Sequence, residues 1–513
     1  MPSAPMRLAR TVWLAAAAKL AVHLVWVNGY GYFRDELYYL ACARHLAWGY
    51  VDHPPLSVAV LAVERAALGE SRLALRLVPA LAGAAVVALT GWLARELGGG
   101  RVAMGVAALA ALVAPMYLAL DHFYSMNALD VLAWTAAVCI VARILRDPPG
   151  ARAAHWVALG VVLGLGLLNK ASVLWLMGGL AAGALLTRHR RLASSPGPWV
   201  ALAIATAFVA PHVAWQVAHD WPTREFVKHA TEDKMATVTA ASFLGSQVLD
   251  MHPLNALLWV PGLGALLAHP RLAAFRPLGI AYVAIFALLV LNAASRSGYL
   301  APMYPALFAA GAVLFEELAE RARRRWIAPA FAAVLVAGGA ATAPLAMPIL
   351  PLQRYLAYAA ALGQKPDTEE KKEVGALPQF YADMFGWPEM TAAVVHVAEG
   401  LAPAERAHAV VRASDYGQAG AFELFGRGRL PPVASGHNNY WLWGPGDPDA
   451  TVEIRLGHDD AAEYWRKNGY TQVEERGIFE NPWVMPYENH LKIWVCRART
   501  PLGARWQDAK HYD

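Results

Sequence analysis

The chain has 513 residues, 57% of them hydrophobic and only 16% charged, with a formal net charge of +5. A soluble domain carries charge on about a quarter of its residues, so a single soluble globule is excluded, and the length leaves room for a membrane part plus a separate domain. Cys42, Cys139 and Cys496 show no CxxC spacing and carry no metal or redox signature.

Residues 1–10 carry charge, but the apolar run behind them reaches spanning length without a small-residue cleavage pattern, so the first helix is expected to stay. Apolar runs at or near spanning length cover 11–27, 73–97, 102–120, 128–145, 155–168, 171–186, 199–217, 253–267, 278–291, 299–318 and 327–349. If each crosses the bilayer, six basic clusters fall on one side. They are Arg7/Arg10, Arg95/Arg101, Arg143/Arg146/Arg152, Arg188/Arg190/Arg191, Arg271/Arg276 and Arg321/Arg323/Arg324/Arg325. Basic loops stay cytoplasmic. The amino terminus is therefore expected inside and, after about eleven spans, the carboxy terminus outside.

The outer segments are then 28–72, 121–127, 169–170, 218–252, 292–298 and everything after 350. The acid- and histidine-rich patches, including Asp35-Glu36, Asp52-His53 and Asp121-His122, lie on this face, which places the chemistry there. After 351 charge, Gly and Pro rise and no run is long enough to span. A polar connector covers 365–373. Helical patterns follow at 389–401, 418–425 and 461–468, with strand patterns at 407–413, 451–456, 471–479 and 491–497. This alternation predicts a small α/β domain. Asp415-Tyr416-Gly417-Gln418-Ala419-Gly420-Ala421 is only a weak echo of GxGxxG, so a nucleotide-sugar pocket lacks support.

The densest chemistry follows the first apolar run: Phe33-Arg34-Asp35-Glu36-Leu37-Tyr38-Tyr39-Leu40, then Gly49-Tyr50-Val51-Asp52-His53-Pro54-Pro55. Carboxylates at a membrane boundary are costly to desolvate unless something uses them. Asp35 and Glu36 are adjacent, so on a helix they point about 100° apart and cannot serve one substrate atom. One is expected to do chemistry and the other to act as scaffold or ligand. Asp35 precedes a helical pattern over 36–46, where the dipole keeps a carboxylate ionised and able to take a proton from an attacking hydroxyl or amine. Asp52-His53, held extended by the prolines, suits a metal ligand, a phosphate contact or a partner for Asp35; a capped loop turn is the alternative. Asn127 and Asp130 share a helix face, and Asp130 would lie about a turn inside the membrane, where an acid needs a partner. Lys170 and Arg296 sit at outer ends of spans, where cations hold an anionic head group or, for Lys170, simply snorkel. Ser435 to Trp443 combine His437, two asparagines, Tyr440 and two tryptophans, planar groups suited to sugar contact or to packing the domain onto the membrane part.

These stretches resemble the GT-C superfamily of integral-membrane glycosyltransferases, in the branch with protein O-mannosyltransferases and lipid A aminoarabinose transferases. The resemblance rests on the Asp-Glu pair, the Tyr-Tyr helix and Asp-His-Pro-Pro. It is supported by Gly164-Leu165-Gly166-Leu167-Leu168-Asn169-Lys170 and by Arg296-Ser297-Gly298-Tyr299-Leu300-Ala301-Pro302. It implies an all-α polytopic membrane domain over 1–350, with a catalytic first outer loop at 28–72, and a C-terminal soluble α/β domain over 351–513. It also implies inverting transfer of a sugar from a polyprenyl phosphate to a lipid, glycan or protein at the outer face of a bacterial inner membrane. A lipid-linked glycan ligase or polymerase, or a transporter without chemistry, is the alternative.

Under this resemblance Asp35 and Glu36 are the catalytic acids. Arg34, Asp52, His53, Lys170, Arg296 and Tyr299 hold the donor phosphate and sugar, and Asp121, His122, His437 and Asn438 face the acceptor. The expected partners are the lipid-linked donor and membrane lipids, not nucleic acid. A divalent metal is compatible with the acids. Two departures bear on the donor. Asp52-His53 stands where the aminoarabinose transferases have Glu-Lys, and Asn127 stands where many relatives have an acid.

Overall fold

The structure, a computed structural model, describes residues 8–146, 153–292 and 295–513. Arg7 and Arg152 of the basic clusters lie outside them. Each of the eleven apolar runs is helical within these residues, but their lengths differ. Among the described residues six helices are long and apolar enough to cross a membrane: Arg72–Glu96, Met126–Arg146, Pro196–Ala218, Pro270–Leu291, Ser297–Ala322 and Ile327–Ala346. The pair Ala240–Asp250 and Pro253–Ala268, bent by 101°, makes a seventh if counted as one span. The expectation of about eleven full spans is thus only partly met. Arg101–Val113 and Val173–Leu185 rise roughly 20 Å, against the ~30 Å hydrocarbon thickness. The expected run 102–120 breaks before Pro115, whose ring cannot continue the first helix and instead opens a second, Pro115–Leu120.

Several of the basic loops meet at one end of the bundle. Arg146 pairs with Glu96 at 2.7 Å, and Arg271 donates to the Gly98 carbonyl and pairs with Glu317. Glu316 accepts from the backbone N–H groups of Gly100 and Val102 at the start of Arg101–Val113, satisfying donors that a helix start leaves open. The first outer loop folds at the other end as two helices, Arg34–Cys42 and Leu56–Leu68. The first of these starts two residues earlier and ends four earlier than the sequence pattern.

The C-terminal part is built on a five-stranded sheet. Its strands are β1 (Ala409–Ala413), β2 (Val433–Ser435), β3 (Val452–Gly457), β4 (Tyr470–Phe479) and β5 (Leu491–Ala498), in the order β2-β1-β3-β5-β4. The β2-β1-β3 half is parallel and the β3-β5-β4 half antiparallel. Three-residue β2 is too short to leave an alternating pattern. One hydrophobic core joins this domain to the outer loop: Leu37, Leu40 and Tyr38 pack with Phe422, Val411, Ile454 and Ile493.

The contact runs through the helix Tyr416–Phe425, which Asp415 caps by accepting from the N–H groups of Gly417 and Gln418 at 2.7 and 2.9 Å. A Cβ on Gly420 would stand 2.7 Å from the Leu37 carbonyl, and one on Gly417 would stand 2.5 Å from Arg34 Cγ. The glycines that echo a phosphate loop are therefore where two helices approach closely, Gly420 against backbone and Gly417 against the Arg34 stem.

Candidate active site

Asp35 lies in the first turn of Arg34–Cys42 and is half-buried. The Tyr416 hydroxyl, from the soluble domain, donates to its Oδ1 at 3.0 Å. The Tyr416 ring stacks on Tyr38 at 4.6 Å, and the Tyr38 hydroxyl donates to Asp52 Oδ1, also at 3.0 Å. Asn439 fixes this second acid's surroundings: its amide N–H donates to the Tyr38 hydroxyl and its Oδ1 accepts from Val51 N at 3.1 Å. Two carboxylates of the first loop are thus joined through a stacked tyrosine pair. His53 is buried, stacked on Tyr39 at 4.8 Å, with Nδ1 against the Pro54 carbonyl. Its Nε2 makes no hydrogen bond and lies 3.8 Å from Asp52. Of the roles read for Asp52-His53, the partner of Asp35 fits through the tyrosines.

Glu36 takes the scaffold role. It is fully buried and pairs in a fork with Arg76: Nε to Oε1 and Nη2 to Oε2, both at 2.8 Å. Its oxygens also accept from Tyr124 N at 3.0 Å and Phe33 N at 2.9 Å. Its cation is neither Arg34 nor Arg296, and no lone pair is left for a substrate. The expectation that Glu36 acts on the substrate is corrected accordingly.

Asp121 and His122 are corrected as well. Asp121 turns into the bundle and pairs at 2.8 Å with Lys19, a fully buried lysine in the middle of Arg10–Val25. His122 is buried with Nε2 at 3.4 Å from Arg76. A charge inside an apolar helix must be matched, and Lys19 draws in the nearest acid, so neither residue is open to an acceptor. Asp130 is also spoken for, accepting from Ser172 at 2.8 Å beside Lys170.

Next to Asp35 in the chain stands Arg34, and further cations gather around its acidic partners. Arg34 donates to the Tyr487 hydroxyl at 2.8 Å and pairs with Asp383 at 3.4 Å and Glu370 at 3.6 Å. Arg296 donates to Glu370 at 3.1 Å, and its Nε lies 3.9 Å from Glu369. Lys170 donates to Asn127 at 2.7 Å and stands 5.2 Å over the Tyr299 ring. Half-buried Lys234, from the outer segment after Pro196–Ala218, faces the same group. Burial lowers its ammonium pKa, Arg34 adds to this, and Glu370 and Asp513 oppose it. Asp383 is buried and its carboxyl is held up to about 7, since burial and neighbouring Glu370, Asp35 and Asp415 outweigh Arg34. The sequence pointed to Arg34, Lys170 and Arg296 but not to Lys234, Glu370 or Asp383. Tyr416 stood inside a noted motif, whose tyrosine was the available signal.

His437 and Asn438 are buried rather than facing an acceptor. His437 Nε2 faces the Asp513 carbonyl at 3.0 Å and its Oδ1 at 3.1 Å, and Nδ1 accepts from the Tyr416 backbone N–H at 3.4 Å. This corrects the acceptor role: His437 sits behind Tyr416 and positions it. Ligand atoms of His437, His511 and Asp513 lie within 4.8 Å of one another. With Nδ1 accepting, however, Nε2 carries the proton and donates to Asp513, so neither ring nitrogen has a free lone pair for a metal.

Residues 52–215 match the family model for dolichyl-phosphate-mannose-protein mannosyltransferases. No curated protein matches the chain. Among solved structures the chain is similar to ArnT from Cupriavidus metallidurans bound to undecaprenyl phosphate. Identity is 17%, coverage 95% of this chain and 98% of that one, and the TM-score 0.63. The same protein in the apo state gives 16%, 94%, 97% and 0.62. The archaeal oligosaccharyltransferase AglB from Archaeoglobus fulgidus, in complex with an inhibitory peptide and a dolichol-phosphate, is 12% identical. It covers 88% of this chain and 70% of its own, with a TM-score of 0.51. The chain therefore shares the fold of these structures, a bundle of apolar helices followed by a C-terminal domain built on a small sheet.

Proposed function

We propose that this chain, built on the GT-C fold, is an inverting glycosyltransferase that moves a sugar from a polyprenyl phosphate to an acceptor at the outer face of a bacterial inner membrane. The observation that carries the reading is the contrast between two adjacent acids: Glu36 is consumed by Arg76, while Asp35 keeps exposed surface and accepts from the Tyr416 hydroxyl. An attacking hydroxyl or amine approaches the anomeric carbon opposite the phosphate. Asp35 takes its proton as the new bond forms. The phosphate leaves as an anion and needs no proton donor, which is why one carboxylate suffices where glycosidases need a pair. Arg34, Arg296, Lys234 and Lys170 supply fixed positive charge for the leaving phosphate. Tyr299, beside Lys170, lines the same side. Asp52, presented by Tyr38 and His53, suits the sugar hydroxyls.

The family-model match and the likeness to a structure holding undecaprenyl phosphate support a lipid-phosphate donor. The test is mass spectrometry of envelope lipids and glycans with and without the gene, followed by transfer assays with the purified chain in nanodiscs and undecaprenyl-phosphate sugars. Loss of a single-sugar decoration supports the reading. Loss of a whole glycan chain points to a ligase or polymerase, and an unchanged envelope with no transfer overturns it.

A further inference from the structure

Glu370 lies in the connector that enters the soluble domain, where the sequence predicts only a solvated linker. It is instead 5% exposed. Its Oε1 accepts from Arg296 at 3.1 Å and lies 3.6 Å from Arg34. Arg34, Lys234 and Arg296 all act on its carboxyl, and they come from the first outer loop, the segment after Pro196–Ala218 and the segment before Ser297–Met303. Three cations from three separate parts of the chain converge on one acid of the connector. The pairing is imperfect: the Nε atoms of both Arg34 and Arg296 are buried without a hydrogen-bond partner, the latter 3.9 Å from Glu369. Unpaired buried guanidinium donors are costly, and their fork geometry matches a phosphate better than a lone carboxylate oxygen.

The connector meets the segment that carries Lys234 along a short front, to which Lys371 Nζ adds a bond to the Glu232 carbonyl. Glu370 pairs with Met235 as an isolated antiparallel bridge; Ala236 N donates to Glu369 O at 3.0 Å and Lys371 N to Lys234 O at 2.8 Å. Glu369 accepts from Ser297 N and Oγ, both at 3.2 Å, at an exposed position. A contact made of one bridge and surface bonds belongs to the low-stability end of a fold, the part that opens first.

We propose that Arg34, Lys234 and Arg296 form one anion site whose resting occupant is the Glu370 carboxylate, and that a lipid phosphate enters by displacing it and releasing the 365–373 connector from Met235. This rests on the donor reading above and deepens it: Lys234 becomes a donor-binding residue, and Glu370 a placeholder that keeps the cations paired between turnovers. The placeholder lowers donor affinity, because the incoming phosphate competes with a tethered carboxylate.

The test is hydrogen-exchange mass spectrometry and binding on the full chain in nanodiscs, with undecaprenyl phosphate as probe and undecaprenol as the uncharged control. Undecaprenyl phosphate is expected to speed exchange at Ala236 and Lys371, and undecaprenol to leave it unchanged. Glu370→Gln is expected to bind the phosphate lipid several-fold tighter. Lys234→Ala is expected to bind about tenfold weaker, with Lys234→Arg restoring most of the loss. Phosphate-specific binding with unchanged exchange at these amides, or with Glu370→Gln no tighter, overturns the placeholder while leaving the donor reading standing. Equal binding of both lipids to all variants overturns both.

Discussion

The Tyr416 hydroxyl meets Asp35 Oδ1 at 3.0 Å across 381 positions of sequence, joining the soluble domain to the first outer loop. The acid proposed as base is therefore oriented from outside the membrane part. Asp35→Asn keeps shape and hydrogen bonding but removes the basic charge. It is expected to leave expression and donor binding near normal and to cut turnover by about 10² or more. Tyr416→Phe is expected to cost less, about tenfold in kcat. Steady-state kinetics on both variants check this; full activity in Asp35→Asn with an inactive Asp52→Asn would move the base to the second acid.

Glu36 gives the opposite signature. Breaking a buried, forked ion pair strands the remaining charge and costs roughly 3–5 kcal/mol. Glu36→Gln is expected to lower the unfolding temperature and the yield of monodisperse protein, and pairing it with Arg76→Met is expected to recover part of the loss. A Glu36→Gln chain as stable as wild type yet inactive would return this acid to the chemistry.

Asp383 makes the junction pH-sensitive. Its folded pKa, about 7, is raised above the unfolded value near 4, so the folded state binds the extra proton between them. Its stabilising contribution is complete below the unfolded value and is lost as pH rises toward 7. Asp383→Asn cannot ionise, so the variant's stability relative to wild type is expected to improve as pH rises from 4 to 7. Thermal unfolding across that range measures the difference; a constant offset would mean that Asp383 titrates normally.

Topology has a direct readout. If the basic loops are cytoplasmic, a reporter enzyme active only outside the cytoplasm is expected to work when fused after Asp513. The same reporter in the loop of Arg321, Arg323, Arg324 and Arg325 is expected to stay silent. The reverse pattern would put the soluble domain inside.

Much of this was readable in the sequence because the signals were local. Apolar runs marked the helices, and alternation marked four of the five strands. What escaped depends on partners distant in sequence. Glu36 is matched by Arg76, forty positions on, and Asp121 by Lys19, near the start of the chain. Lys19 was a missed local cue, since a lysine inside an apolar run needs a nearby acid. Lys234 and Glu370 left no pattern, being charges in polar segments that only tertiary folding brings together. Gly417 and Gly420 were noticed for the wrong reason: spacing alone does not tell whether a bare backbone faces a phosphate or another helix.

That glycine face limits how the molecule could be re-engineered. With Gly420 against the Leu37 carbonyl and Gly417 against the Arg34 stem, neither position has room for a side chain to absorb a mismatch. A chimera taking its C-terminal half from another protein would need both glycines and a tyrosine in register before its catalytic loop could assemble. The halves behave as one unit of design, and acceptor range would have to be altered elsewhere, in surfaces that this contact does not touch.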